Sequence, residues 1–256
     1  MCFDLDSRPP IAPIAGGALD SARQVLTAED GNSFAAFRAR TAGPTGAGIV
    51  VLPDVRGLHP FYEELALRFA ENGIDALAID YFGRTTGTET PRDDTFEYRP
   101  HVERTTFAGL SADVRAAAAE LRGGDDGRVR SLFTFGCCFG GRLAFVTPTL
   151  DLDIAGAIGF YGSPAAPRPN GPPPPTDVAT AMQGAVLGIF GGADEGIPPE
   201  AIADFDRALT SAGVDHRLVT YPGAPHSFFD RKAAEFADAS AAAWVEVLTF
   251  VQANTA

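Results

Sequence analysis

The chain has 256 residues, 45% of them hydrophobic and 21% charged, which fits one large α/β domain over residues 1–256 with a sizeable core. Its 33 acidic and 20 basic residues give a net charge of -13, which argues against nucleic acid or an anionic membrane surface as a partner. The three cysteines, Cys2, Cys137 and Cys138, show no disulfide pattern and suit a reducing cytoplasm. No signal peptide or membrane-spanning run is visible, so we expect a cytoplasmic protein.

The hydrophobic pattern predicts a polar start followed by alternating strands and helices. Residues 1–30 are expected to wrap the surface, with an edge hairpin formed by residues 23–26 and 33–38. Continuous apolar runs indicate strands that are buried on both faces. These strands are predicted over residues 48–52, 75–79, 132–135, 155–160, 185–190 and 216–221. Helices are predicted over residues 61–71, 110–121, 199–211 and 233–251, with a further helix after residue 141. This alternation is typical of an α/β fold with a doubly wound, mostly parallel sheet and helices on both faces.

Two segments are too long or too rigid to be simple connections. Residues 83–104 are polar and rich in Thr, Arg and Asp, and long loops in compact domains are often functional. Residues 164–175 contain seven prolines and are predicted to form a stiff, exposed loop. We expect both segments near the active-site edge of the sheet.

The most informative segment is Phe-Gly-Cys-Cys-Phe-Gly-Gly-Arg at residues 135–142. It lies between a strand-like run and a helix-like run, and its Gly-x-Cys-x-Gly spacing matches the nucleophile elbow of α/β-hydrolases, with a thiol as the nucleophile. Glycines flank such an elbow because side chains there would collide with the neighbouring strand and helix. Cys138 is therefore the candidate nucleophile, whereas Cys137 is expected to pack beneath the turn.

A thiol nucleophile needs a base, and the base needs an acid that orients it. Asp194 follows the predicted strand 185–190, and His226 follows the strand 216–221. Loops at the carboxyl ends of parallel strands meet at one edge of the sheet, so Cys138, Asp194 and His226 are predicted to come together. The alternatives are Glu195 for the acid and His59, His101 or His216 for the base. Of the four histidines, only His226 lies on a loop after a strand.

The motifs at residues 136–141, 191–194 and 226–228 together resemble the dienelactone hydrolase (carboxymethylenebutenolidase) family. The resemblance covers residues 48–251. It implies an α/β-hydrolase fold and a hydrolase without a cofactor, in which Cys138 is the nucleophile, His226 the base and Asp194 the orienting acid. An ester or lactone would then be cleaved through an acyl-thioester intermediate.

The fold also predicts an oxyanion hole. Its donors are the backbone N–H of Phe139, after the nucleophile, and that of Val55, in the loop after strand 48–52. The resemblance implies that an acid at position 54 holds the resting thiol. The family has glutamate there and this chain has Asp54, whose alternative role is an ion pair with Arg56. Family members also bind a substrate carboxylate with an arginine four residues after the histidine, a position that holds Asp230 here.

Other side chains are candidates for contact with the substrate. They are Arg56, Arg99, Arg104, Tyr161 and Arg231, although Arg99, Arg104 and Arg231 also fit simple surface or salt-bridging roles. No grouping of residues has metal-ligand spacing, and no glycine-rich loop has the ending of a phosphate-binding loop. We therefore expect neither a metal nor a cofactor.

The sequence thus predicts a lactone or ester hydrolase that acts on a small molecule, as a monomer or homodimer. The enzymatic alternative is a promiscuous carboxylesterase or thioesterase without lactone preference. The alternative from another class is a non-catalytic binder built on a hydrolase fold.

Overall fold

A computed structural model describes residues 6–123, 127–165 and 171–256. Within these ranges, eight strands form one sheet in the order β1-β2-β4-β3-β5-β6-β7-β8. The strands are β1 (Ala18–Thr27), β2 (Ser33–Thr41), β3 (Ala47–Leu52), β4 (Asp75–Ile79), β5 (Ser131–Cys137), β6 (Ile154–Phe160), β7 (Ala185–Gly191) and β8 (His216–Tyr221). Strands β3 to β8 run parallel, whereas β2 pairs antiparallel with both β1 and β4.

Helices cover both faces of the sheet, which confirms the predicted doubly wound α/β fold. They are α1 (Pro60–Glu71), α2 (Gly83–Thr86), α3 (Arg99–Arg104), α4 (Phe107–Arg122), α5 (Phe139–Val146), α6 (Pro199–Ala212) and α7 (Ala237–Ala253). On one face, Phe69 of α1 packs at 5.4 Å from Phe135 and 4.9 Å from Trp244 of α7, measured between ring centroids. On the other face, Val114 of α4 packs with Val50 and the rest of a second core cluster. Coverage on both sides explains why the central strands are continuous apolar runs.

The N-terminal part of the chain contributes more to the sheet than the prediction allowed. The expected edge hairpin is confirmed, and its pairing extends from Ala18↔Thr41 to Thr27↔Ser33. Residues 18–27 are therefore a strand, and only residues 6–17 run as an irregular segment. The remaining N-terminal residues, with Cys2, lie outside the described ranges.

The segment 83–104 is not one loop, because the short helices α2 and α3 form its two ends. The hydroxyls of Thr85 and Thr86 donate to the Phe82 carbonyl at 3.1 and 2.9 Å and close the first turn. Between the helices, Arg92 donates to Thr86 Oγ1 at 2.8 Å and forms an ion pair with Asp80. Side-chain hydrogen bonds of this kind carry no hydrophobic signal, so the pattern could not reveal them.

The proline-rich segment 164–175 is also less exposed than predicted. Residues 166–170 lie outside the described ranges, but Pro164, Pro172 and Pro175 are buried. Arg142 of α5 donates to the carbonyls of Ser163 and Pro172, both at 3.1 Å, and so holds the segment against the body of the protein. The chain then continues in a 3₁₀ helix, Pro175–Ala181.

The last helix begins at Ala237 rather than at residue 233, because residues 227–236 form successive turns instead of a first helical turn. Asp230 N–H donates to the Ser227 carbonyl at 3.2 Å and Ala233 N–H to the Asp230 carbonyl at 3.0 Å. No helix in the described part of the chain combines the length and apolar character needed to cross a membrane.

Candidate active site

Cys138 occupies a strained turn between β5 and α5. Its backbone has φ 55° and ψ -115°, a conformation that L-residues rarely adopt. Two backbone hydrogen bonds hold the turn: Cys138 N–H donates to the Phe160 carbonyl at 2.9 Å, and Arg142 N–H donates to the Cys138 carbonyl at 3.1 Å. Cys138 is partly exposed, whereas Cys137 is buried. The turn therefore separates the two thiols into different environments.

The glycines around Cys138 are required by close backbone contacts. A Cβ on Gly140 would lie 2.0 Å from the Leu52 carbonyl oxygen of β3, and one on Gly136 would lie 2.1 Å from the Gly140 carbonyl oxygen. A Cβ on Gly141 would lie 2.5 Å from the Phe160 carbonyl oxygen of β6. These distances are far below van der Waals contact, so the Gly-x-Cys-x-Gly-Gly pattern lets the elbow settle between β3 and β6.

Asp194 and His226 form a hydrogen-bonded pair on the loops after β7 and β8. Nδ1 of His226 lies 2.6 Å from Oδ2 of Asp194. Oδ1 of Asp194 accepts the Gly196 N–H at 2.9 Å, which fixes the carboxylate. The Asp194 side chain is 4% exposed and the His226 side chain 29% exposed. Because the carboxylate holds Nδ1, Nε2 is the ring nitrogen that can exchange a proton with another group.

The alternative acid and bases lie elsewhere. Glu195 is exposed, whereas Asp194 is buried. Nδ1 of His216 lies 2.8 Å from the Val214 carbonyl oxygen, and Nδ1 of His101 lies 2.8 Å from Thr85 Oγ1. His59 is buried, and burial lowers its pKa to about 3, so it stays neutral in ordinary buffers.

Tyr161 packs beneath the histidine. It follows β6 with φ 38°, and its ring centroid lies 4.8 Å from that of His226. The predicted contact of its hydroxyl with substrate is wrong, because Tyr161 is 1% exposed and its phenol oxygen is buried. Burial also raises the pKa of Tyr161 and of the neighbouring Cys137 well above their usual values. Cys137 is therefore a neutral packing thiol.

The loop between β3 and α1 carries the predicted oxyanion donor Val55. Tyr62 Oη accepts the Asp54 N–H at 2.9 Å, while the Tyr81 hydroxyl donates to the Asp54 carbonyl at 2.9 Å. The Val55 N–H forms no hydrogen bond with any part of the protein that the structure describes. Phe139, the second predicted donor, is the first residue of α5, where backbone N–H groups point out of the helix.

The carboxylate of Asp54 binds Arg56 in its own loop. Oδ1 of Asp54 accepts the Arg56 N–H at 2.9 Å and Nε at 3.1 Å, and Oδ2 accepts Nη2 at 2.6 Å. Nη2 also lies 3.4 Å from Oδ2 of Asp230. Arg56 is 1% exposed, so the predicted substrate contact of Arg56 is wrong: its guanidinium is buried between two carboxylates. With both oxygens bound to Arg56, Asp54 is also poorly placed to hold the resting thiol.

The two carboxylates of this cluster differ in acidity. Burial raises the pKa of Asp54, but the Arg56 guanidinium more than offsets it, so the net shift is downward. Burial and the nearby Asp54 carboxylate raise the pKa of Asp230 to about 7. One guanidinium therefore neutralises Asp54 well and Asp230 poorly.

The remaining arginine candidates occupy other surfaces. Arg99 and Arg104 are exposed on α3, and Arg104 Nε donates to the Pro100 carbonyl at 3.1 Å. Arg231 is half-buried in the turns after His226. None of the contacts that the structure gives for Arg99, Arg104 or Arg231 in the described ranges reaches the elbow.

Sequence reasoning missed the residues that pack around the β3–α1 loop, which carries the predicted oxyanion donor. Gly57, at φ 76°, fits against the Asp80–Arg92 pair, because a Cβ there would lie 2.7 Å from Asp80 Oδ1 and 2.9 Å from Arg92 Nε. Tyr62 lies on α1 and Tyr81 follows β4. The positive φ of Gly57 could have been suspected from the sequence, whereas the two tyrosines carry no local signal.

The sheet order, the elbow and the loops that meet there define the α/β-hydrolase class of proteins. The model of the dienelactone hydrolase family matches residues 34–255. The chain belongs to the dienelactone hydrolase family.

Relatives and solved structures agree with this assignment. A candidate carboxymethylenebutenolidase of Salmonella typhimurium is 29% identical over 203 residues, which cover 77% of this chain and 74% of the relative. The carboxymethylenebutenolidase of Rhodococcus opacus is 31% identical over 189 residues, 72% of this chain and 71% of the relative. The crystal structure of a candidate dienelactone hydrolase from Klebsiella pneumoniae has a TM-score of 0.76 at 25% identity and covers 91% of this chain and 99% of its own. These similarities indicate a hydrolase.

Proposed function

We propose that this hydrolase cleaves an ester or lactone with Cys138 as nucleophile, His226 as base and Asp194 as the acid that orients the histidine. The observation that carries the proposal is the 2.6 Å contact between His226 Nδ1 and Asp194 Oδ2, on loops at the same sheet edge as the Cys138 elbow. A partly exposed imidazole beside a buried carboxylate is the arrangement that activates a thiol or hydroxyl nucleophile.

In the first half of the reaction, Nε2 of His226 takes the proton of the Cys138 thiol. The thiolate attacks the carbonyl carbon, and the N–H groups of Phe139 and Val55 stabilise the negative charge on its oxygen. The tetrahedral intermediate then breaks its C–O bond. The leaving alkoxide receives the proton from His226, and the acyl group stays on sulfur as a thioester.

In the second half, His226 takes a proton from a water molecule, which attacks the thioester. The C–S bond breaks, the free acid is released, and the Cys138 sulfur regains the proton from His226. Asp194 keeps the imidazole in the correct tautomer and stabilises its charged form throughout. Because the N-terminus of α5 lies next to the sulfur, the helix dipole also favours the thiolate.

Two substrate preferences fit this chemistry. The Rhodococcus opacus relative is a carboxymethylenebutenolidase, which supports a lactone substrate. The burial of Arg56 between two carboxylates instead favours the alternative of a promiscuous carboxylesterase or thioesterase, because that arginine cannot bind a substrate carboxylate. Comparing kcat/KM for a lactone, a p-nitrophenyl ester and a thioester separates the two. We further propose that the protein works in the cytoplasm on a small molecule, as one domain and as a monomer or homodimer.

The test of the mechanism is to replace the nucleophile and to trap the acyl group. Cys138→Ala should abolish hydrolysis of p-nitrophenyl acetate, whereas Cys137→Ala, the matched control on the adjacent thiol, should retain turnover. Quenching the wild-type reaction early should give a mass increase of one acetyl group on the peptide that contains Cys138. Full activity of Cys138→Ala would exclude this mechanism, and wild-type protein without turnover on any ester would favour a non-catalytic binder.

A further inference from the structure

A buried ion bridge joins the two loops that carry the proposed oxyanion donor and the proposed base. Arg56 follows Val55 in the β3–α1 loop. Its guanidinium lies 2.6 Å from the Asp54 carboxylate and 3.4 Å from the Asp230 carboxylate. The side chains of Asp54 and Arg56 are 1% exposed and that of Asp230 is 2% exposed. Asp230 lies four residues after His226 in the chain.

In the loop that carries Val55, Asp54 of the bridge also bonds to neighbouring backbone N–H groups. Asp54 Oδ1 accepts the N–H of Arg56 at 2.9 Å, and the Asp54 carbonyl accepts the N–H of Gly57 at 3.0 Å. These two bonds close a tight turn around Val55. The Asp54 carboxylate therefore connects the guanidinium of Arg56 to the turn that carries the Val55 N–H.

On the histidine side, the bridge ends in a folded turn. Ser227, next to His226, has φ 61°, and its carbonyl accepts the N–H groups of Asp230 at 3.2 Å and Lys232 at 3.1 Å. These bonds hold the backbone of Asp230 against that of Ser227, the residue next to His226. The contact between Arg56 Nη2 and Asp230 Oδ2 links this turn to the loop that carries Val55.

We propose that Arg56 and Asp230 are positioning residues, which fix the distance between the Val55 N–H and the His226 ring by tying their loops together. The inference rests on the proposed function, since it assigns a purpose to the geometry of that site. This role also explains why the Arg56 guanidinium is unavailable to substrate, since it is held between Asp54 and Asp230 on two different loops.

The energetics of the bridge favour a geometric role over a stabilising one. Asp54 alone balances the charge of Arg56, so Asp230 adds a second, desolvated carboxylate whose pKa is raised to about 7 rather than lowered. A carboxylate that gained stability from its partner would show a lowered pKa. In some proteins, buried ionic groups that do not stabilise the fold specify one arrangement of its parts.

The test compares two substitutions of Asp230 with the same two substitutions of a control residue, Asp75, at the opposite end of the strands. Asp75 is also a buried carboxylate that binds an arginine, Arg128, at 3.1 Å, and it lies at the start of β4, far from the elbow. Asp230→Leu removes the acceptor for Arg56, whereas Asp230→Asn keeps an oxygen acceptor and removes only the charge. Asp75→Leu and Asp75→Asn are the controls.

With p-nitrophenyl acetate at pH 8, Asp230→Leu should lower kcat by roughly 10²-fold with KM within about twofold, the size expected for misplaced catalytic groups. Its Tm should equal or exceed that of the wild type. Asp230→Asn should restore kcat to within about threefold of wild type, since the amide oxygen can still accept from Arg56. Asp75→Leu should lower Tm and leave kcat unchanged.

Wild-type kcat in Asp230→Leu would overturn the proposal, and so would a loss of kcat that Asp230→Asn does not restore. If Asp230→Leu does not fold, Asp230→Ser, which is too short to reach Arg56, is judged by the same criteria. The proposed function fails separately, if Cys138→Ala remains active. An inactive Cys138→Ala together with a fully active Asp230→Leu would exclude the positioning role of Arg56 and Asp230 and leave the proposed function intact.

Discussion

Two carboxylates at the same edge of the sheet each hold a nitrogen-containing side chain at the same distance, but in different environments. The Asp194–His226 pair is 2.6 Å long, and its imidazole is 29% exposed. The Asp54–Arg56 pair is also 2.6 Å long, and both of its side chains are 1% exposed.

The difference follows from what each nitrogen-containing side chain can do. Histidine side chains can gain and lose a proton near neutral pH, so a partly exposed imidazole can exchange protons with substrate and water. An arginine stays charged in proteins, and its planar fork holds carboxylates in fixed directions. The Asp194–His226 pair, called the exposed pair for its partly exposed imidazole, is thus suited to chemistry. The Asp54–Arg56 pair, called the buried pair, is suited to geometry. Substitutions in the first pair should therefore affect rate, and substitutions in the second pair should affect stability as well.

The largest effect is expected for the exposed pair. Asp194→Asn keeps the shape of the side chain but replaces the carboxylate with an amide. The amide either donates an N–H to Nδ1 of His226 or accepts only weakly from it, and both disfavour the tautomer in which Nδ1 carries the proton. We expect kcat to fall by roughly 10³–10⁴-fold, while Tm changes little because the carboxylate is on a loop at the edge of the sheet. Steady-state kinetics with p-nitrophenyl acetate and a thermal melt measure both quantities. A variant with near wild-type kcat would show that Asp194 does not orient the base.

The next largest effect is expected for the buried pair. Arg56→Met keeps the volume but leaves Asp54 and Asp230 without a cation. We expect the free energy of unfolding to fall by about 3–5 kcal/mol, as for other buried charges that lose their partner. Urea denaturation at pH 8 measures it. An unchanged denaturation midpoint would mean that the two carboxylates are stable without Arg56.

The sequence predicted the exposed pair and its surroundings because their signals are local. The strands are continuous apolar runs, and the loops with Asp194 and His226 directly follow two of them. The elbow is defined by glycines within a few residues of Cys138, and each glycine is required by a backbone contact that a Cβ would block.

For the buried pair, the sequence indicated the Asp54–Arg56 contact but not the contact of Arg56 with Asp230. An Asp54–Arg56 contact is visible as a two-residue spacing, but Arg56 and Asp230 are 174 positions apart, and neither position has a pattern that indicates the other. The burial of Arg56 between Asp54 and Asp230 is a property of the assembled fold. The same limit explains why Arg56 was expected to meet the substrate.

A smaller effect should appear in the pH dependence of stability. The pKa of Asp230 is raised from 3.8 to about 7, so the folded protein holds this proton where the unfolded chain has released it. The associated stability is fully present below pH 3.8 and is lost as pH rises to about 7. The Tm of Asp230→Asn relative to wild type should therefore increase between about pH 4 and pH 7 and then level off. A constant difference across this range would show that Asp230 is not protonated in the folded protein.

The smallest effect is expected at Glu195, the acid next to Asp194. Glu195 is exposed, and the histidine is held by the buried neighbour, so Glu195→Gln should change kcat and Tm within experimental error. The substitution removes the same charge as Asp194→Asn from the same loop, and it therefore controls for the loss of a negative charge near His226. If Glu195→Gln reduced kcat as strongly as Asp194→Asn, the effect at both positions would be electrostatic and long-range, and the 2.6 Å contact would not be what distinguishes the exposed pair.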